Sequence, residues 1–170
     1  MNMKILVLIV AIAGGGWYWF MGSKRVSESD VHAHYTQQTR AFAERDLKAI
    51  CDGIDDAFSG EDTLVSAAAG RVNQSVDKAK ACSSYEDFFA NAKKLEASVP
   101  GGFQIDTSQN LRGIEISADK KRAVVQVQSV VKMGTPQVLL AKFTSEKTDT
   151  FERRNGRLKL VSQTSKTLME

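Results

Sequence analysis

Near the C-terminus, Arg154-Asn155-Gly156 stands between two runs of strand-like alternation. Asn-Gly in that position predicts a two-residue hairpin, because both residues tolerate the positive φ that a type I′ turn requires. The stretch from Gln137 to Thr167 is therefore expected to form two long antiparallel strands. Such strands bury one face, and something upstream has to cover it.

The period of two extends upstream. Phe103–Thr107 and Leu111–Ser117 read as one strand with a break near Ser108-Gln109-Asn110, and Ala118-Asp119-Lys120 reads as a turn. In the next strand, Arg122 to Met133, the residues Ala123, Val125, Val127, Ser129, Val131 and Met133 share a face, opposite Gln126, Gln128 and Lys132. Gly134-Thr135-Pro136 turns the chain into the last hairpin. There Leu139, Ala141 and Phe143 alternate with Leu140, Lys142, Thr144 and Glu146. The expected sheet is an antiparallel meander with one packed and one wetted face.

Before Pro100 the period is helical. A first helix is expected over Asp30 to Glu44, with Val31, Tyr35, Gln38 and Phe42 on one face. Asp46 opens a second, Leu47 to Phe58, with Leu47, Ile50, Cys51, Ile54 and Phe58 as its stripe. A third runs from Asp77 to Ser98 through Ala81, Tyr85, Phe88, Phe89, Ala92 and Leu95, and Pro100-Gly101-Gly102 stops it. Asp62 to Val76 is ambiguous, with a short hairpin around Ala68-Ala69-Gly70 as one reading. Cys51 and Cys82 form either a bridge between the second and third helices or two buried thiols. His32 and His34 sit two residues apart, on opposed helix faces, so no shared metal is expected and both are read as solvated. Asp55-Asp56 and Glu61-Asp62 lack the spacing of a calcium loop.

Ile5 to Met21, ILVLIVAIAGGGWYWFM, carries no charge. As a helix it spans roughly 26 Å, close to a bilayer core, with Trp17, Tyr18 and Trp19 at interfacial depth. Ile5, Leu6, Ile9 and these aromatics are expected to anchor the chain in a bilayer; a cleaved leader ending at Ala11-Ile12-Ala13 and a buried core helix are the rival readings. The expected organisation is an anchor over 1–23, a linker over 24–29 and one domain over 30–170. Cations flank the run on both sides, so charge leaves orientation nearly balanced. Analogy with signal-anchored bacterial proteins puts the domain on the periplasmic side of the inner membrane.

Formal charge is +3, from 23 Lys and Arg against 20 Asp and Glu, too little for a dedicated nucleic-acid binder. The cations do cluster at two turn ends, Lys120-Lys121-Arg122 and Arg153 to Lys159, which a meander can place together; solvated hairpin tips explain them most simply.

Helices followed by a bent meander resemble the nuclear transport factor 2-like (cystatin-like α+β) superfamily. Three stretches carry the likeness: Phe42 to Phe58, Ser84 to Glu96, and Asp149 to Thr167. The resemblance implies an α+β cone between helices and sheet, in which members bind ligands or catalyse reactions. By strand parity Val125, Val127, Ser129, Val131, Leu139, Ala141 and Phe143 are expected to face that cone, and Tyr35, Tyr85, Val127, Ser129 and Phe143 to form its pocket. The ketosteroid isomerase branch implies a carboxylate base beside a tyrosine or protonated acid. Tyr35, Tyr85, Asp106 and Glu115 are the candidates here, and none stands in a matching motif, so no catalytic residue and no cofactor is assigned. The open sheet face, with Gln126, Gln128, Lys142, Thr144 and Gln163, is the expected docking surface for membrane or periplasmic proteins or for a second copy of the chain. The leading expectation is a non-enzymatic scaffold at a membrane, as in the periplasmic subunits of type IV secretion machines that the arrangement resembles. A small-molecule-binding or isomerase-like cone is the alternative.

Overall fold

The computed structural model describes residues 25–67, 70–99 and 102–170. Nine elements follow in order: α1 Glu28–Ala43, α2 Leu47–Asp52, β1 Ile54–Ser66, β2 Gly70–Asp77, α3 Lys78–Ser98, β3 Gln104–Ile116, β4 Arg122–Gly134, β5 Leu139–Arg154 and β6 Arg157–Met169. The strands form one six-stranded sheet in the order β2-β1-β6-β5-β4-β3, antiparallel except for the β1–β6 pair. Among the described residues no helix is long and apolar enough to cross a membrane. The anchor expected over Ile5–Met21 lies outside the described residues.

Local signals set most element ends. Ser27 caps α1 in a capping box: its backbone N–H donates to Asp30 Oδ2 at 2.9 Å, and the Asp30 N–H donates to Ser27 Oγ at 3.3 Å. Asp46 and Asp77 cap α2 and α3 by accepting from Ala49 N and Lys80 N. Asn155 and Gly156 adopt φ of 51° and 76°, as the hairpin demands.

Two expectations about the elements change. The second helix stops at Asp52, and Ile54 and Phe58 belong to β1. These two are four residues apart, a spacing that suits one helix face and one strand face alike. Pairing with β6 decides in favour of the strand. The sheet is therefore mixed, and the β1–β2 hairpin precedes α3. In β3 there is no break at Ser108–Asn110. The strand is continuous, and a bulge at Arg112 shifts its register between Leu111 and Gly113. An extra residue there bends the strand and moves the inward set from 109 and 111 to 114 and 116.

The core fills one end of the cone. Val26, Val31 and Tyr35 meet Ile54 and Phe58 of β1, Ala123, Val125 and Val127 of β4, Phe151 of β5 and Leu160 of β6. His34, expected in solvent, packs here too, its ring edge-on to Phe151 at 4.7 Å. It neighbours Tyr35 on α1, so the turn that buries Tyr35 carries it inward. Its Nε2 is buried with no hydrogen-bond partner. Burial, reinforced by the charge of Lys159, lowers its pKa from 6.5 to about 4.

That shift has a defined sign. Between pH 4 and 6.5 the unfolded chain binds a proton at His34 that the folded chain does not, so stability rises with pH across this window. Acidification from pH 7 to 4 is expected to cost at most about 3 kcal/mol through this residue. Replacing it by His34→Phe should flatten that part of the slope in urea unfolding, and an unchanged slope would place the proton elsewhere.

Candidate functional site

Along β5 the inward residues are Phe143, Ser145, Lys147, Asp149 and Phe151, opposite Val131, Ser129, Val127, Val125 and Ala123 of β4. On β6 they are Gln163, Ser165 and Thr167, paired with Asp149, Lys147 and Ser145. Asp149 is only 4% exposed. Its two oxygens are both taken: Tyr35 Oη donates to Oδ2 at 2.5 Å and Gln163 Nε2 donates to Oδ1 at 2.7 Å. Burial first, then the Asp149 charge and this hydrogen bond, push the Tyr35 hydroxyl far above its usual pKa. Tyr35 is thus a fixed phenol donor, and Asp149 is held in place by a hydrogen bond to each oxygen.

Next to Gln163 the cone opens into a cavity of about 390 Å³. One wall is aromatic, formed by Phe42, Phe58, Tyr85, Phe88 and Phe143. Phe42 of α1 lies 5.6 Å from Phe88 and 6.4 Å from Tyr85 of α3, so this wall depends on how the two helices meet. A Cys51–Cys82 disulfide ties α2 to α3, with Cα atoms 5.8 Å apart. The other wall is polar and mostly paired within itself. Ser145 and Thr167 hydroxyls are 2.8 Å apart, and Ser165 donates to Asp62. Lys147, half-buried, and Glu61, exposed, line this cavity without a hydrogen-bond or ion-pair partner among the described residues.

Of the residues expected in the pocket, Tyr85 and Phe143 line the cavity. Tyr35, Val127 and Ser129 are buried in the surrounding layers, Tyr35 beneath the cavity as a partner of Asp149. Ala141, half-buried opposite Met133, keeps the parity of Phe143, but Leu139 does not face the interior as expected. Leu139 is 59% exposed, because pairing with β4 shifts beyond Met133 and the strand runs past the lip of the cone. Asp106 and Glu115 are exposed on β3. Of the docking-face residues, Gln126 and Gln128 line a groove of about 1000 Å³ on the outer side of the sheet, with Glu146, Thr148 and Lys166. Gln128 accepts from Arg112, Lys142 pairs with Glu170, and Thr144 is half-buried. Gln163 is a correction, since it points inward to Asp149. A bulge at Val161 causes this: Phe151 pairs with Leu160 but Thr150 pairs with Ser162, so parity on β6 reverses after Leu160.

Sequence reasoning missed Lys147 and Asp149 although their signal was present. Continuing the parity of Phe143 by steps of two reaches Ser145, Lys147, Asp149 and Phe151. Gln163 and Ser165 had no such signal, because nothing local marks Val161 as the extra residue.

No protein-family model matches the sequence, and none of the curated proteins does. Solved structures do match. A conserved protein from Planctomyces limnophilus superposes with a TM-score of 0.60 at 11% identity, covering 84% of this chain and 97% of that one. An NTF2-like protein of unknown function from Pseudomonas putida gives 0.52 at 14% identity, covering 82% and 84%. A ketosteroid isomerase-like protein from Erwinia carotovora gives 0.50 at 11%, covering 82% and 94%. The fold is the nuclear transport factor 2-like cone. At these identities the likeness is one of fold alone, and it extends over the helices and the mixed sheet together.

The buried hydrogen bond gives a direct test. Tyr35→Phe leaves one oxygen of a buried carboxylate without its donor, and is expected to cost about 1.5–3 kcal/mol in chemical unfolding. In a double-mutant cycle, adding Asp149→Asn should cost much less than it does alone. Additive losses would show that the two groups are not coupled.

Proposed function

We propose that the cone binds a small organic molecule with an apolar ring body and an anionic group. The observation that carries this reading is a cavity of about 390 Å³ lined both by an aromatic wall and by Lys147, a cation with no ion pair among the described residues. A volume of that size lies within the usual range for ligand pockets, roughly 300–1,000 Å³. Phe42, Phe58, Tyr85, Phe88 and Phe143 supply stacking and apolar contact. Lys147 supplies the charge, and Gln163, fixed by Asp149, supplies an oriented amide. Binding is favoured over catalysis because both oxygens of the deeply buried Asp149 already accept a hydrogen bond within the protein, from Tyr35 and from Gln163. The ketosteroid isomerase-like neighbour fits a cone that admits ring compounds.

A second reading concerns where the domain works. We infer that residues 5–21 anchor it in a bilayer and that it folds outside the cytoplasm. The Cys51–Cys82 disulfide supports this, since such bonds persist in oxidising compartments. In that setting the polar outer groove beside Gln126 and Gln128 is the surface available for a protein partner.

The ligand reading is tested with a panel of polycyclic aromatic carboxylates and their matching alcohols, using thermal shift and calorimetry. At least one carboxylate should bind, and Lys147→Met should weaken it tenfold or more, about 1.4 kcal/mol, while leaving alcohols unaffected. Equal affinity for Lys147→Met and the unaltered chain, or no binding by any member of the panel, would overturn it.

A further inference from the structure

Three segments distant in sequence converge where the described chain begins. Val26, the first core residue, donates its N–H to Lys120 O in the β3–β4 turn at 2.6 Å. Asp30, in the first turn of α1, forms an ion pair with Arg153 beside the β5–β6 turn at 2.7 Å. The two hairpin tips are neighbours in the sheet, since Arg122 pairs with Glu152 and Arg154 with Arg157. Six exposed cations therefore surround the point at which the chain enters from residue 24: Arg25, Lys120, Lys121, Arg122, Arg154 and Arg157.

The acids at this end do not neutralise them. Glu152 pairs with both Arg122 and Arg154, one carboxylate against two guanidinium groups. Asp30 is taken by Arg153. Asp119 accepts from the Ser117 hydroxyl and the Lys121 backbone N–H. Asp52, near Arg157, is paired with Lys48, and Glu28 lies in the first turn of α1, where the helix dipole favours it. Arg25, Lys120, Lys121 and Arg157 form no ion pair among the described residues, although Asp119 lies within the field of Lys121 and Asp52 within that of Arg157. The backbone fixes this presentation, because Lys120 sits at φ 56° and Asn155 at φ 51° in tight turns.

We propose that this narrow end of the cone docks on an anionic lipid surface. The inference rests on the reading that residues 5–21 are a bilayer anchor. The anchor would leave the domain beside Arg25, so the cations around Val26 would meet the headgroups without any further element having to move. Lys and Arg held near an anionic membrane are attracted to it within about a Debye length, and several such groups act together. The domain is then seated upright on its basic end rather than tethered loosely.

The test uses the full chain in nanodiscs of phosphatidylcholine, with or without phosphatidylglycerol. Ala118→Cys provides a labelling site in the exposed β3–β4 turn, the two native cysteines being paired. A fluorophore there is read by quenching from spin-labelled headgroups. Quenching is expected to rise severalfold with phosphatidylglycerol and to return to the neutral-lipid level in high salt. The triple variant Lys120→Glu, Lys121→Glu, Arg157→Glu should abolish the rise while keeping the unfolding temperature. A chain that enters both kinds of disc but shows equal quenching would overturn the docking and leave the anchor standing. A chain that enters neither would overturn the anchor and the docking geometry with it. Stripping of the anionic-lipid signal by a stoichiometric oligonucleotide would overturn the lipid reading in favour of nucleic acid.

Discussion

The arrangement depends on one buried carboxylate. Asp149 lies in the middle of β5, a strand hydrogen-bonded on both sides, and faces the interior. An unpaired charge there would be too costly to retain. Tyr35 from α1 and Gln163 from β6 meet it at 2.5 and 2.7 Å. The requirement therefore fixes the helix on the sheet, in rotation and in height. Once Tyr35 is placed, its ring meets Phe151 at 5.7 Å and His34 turns in beside it, which closes the narrow end of the cone. The cavity is the volume left on the other side of this plug.

The sheet was legible where its rules are local. Asn155-Gly156 fixed the last hairpin, and parity along β4 put Ala123, Val125, Val127 and Ser129 inside. Apolar periodicity located α1 and α3 within two residues, and Ser27 and Asp77 cap them. What could not be read came from two causes. One is degeneracy, since Ile54 and Phe58 satisfy helix and strand periods equally and only the parallel partner β6 distinguishes them. The other is the bulge. Each extra residue, at Arg112 or at Val161, reverses parity for the rest of its strand, and no residue type marks either position. Gln163 was assigned to the wrong face for this reason alone. Lys147 and Asp149 differ, because no bulge separates them from Phe143 and the alternation held throughout.

The polar wall explains why the interior need not collapse. The Asp149 carboxylate and the hydroxyls of Ser145, Ser165 and Thr167 would be costly to bury without partners. Instead these groups pair across β5, β6 and β1, so the wall is rigid and already satisfied before any ligand arrives. A ligand then competes with few internal bonds. Lys147 keeps its donors to spare, and on the proposed reading this is what would favour anions over neutral rings of the same shape.

Position along β5 separates the two proposed activities. Arg154 marks the basic end, Phe151 the core plug, Asp149 its polar rim, and Lys147 to Phe143 the cavity wall. From Arg154 to Ser145 is nine residues of strand, roughly 30 Å. A domain standing on its basic end thus holds the cavity away from the headgroups, and the exposed apolar residues Val138, Leu139 and Leu140 lie further out still. Those residues, with Leu168 and Met169, border the far end of the sheet, so an apolar lip faces bulk water and not the bilayer. A ligand entering the cone in this orientation arrives from solution. On the two proposals, charge at the tips would govern where the domain sits, and Lys147 what it holds. The Tyr35–Asp149 plug lies between them.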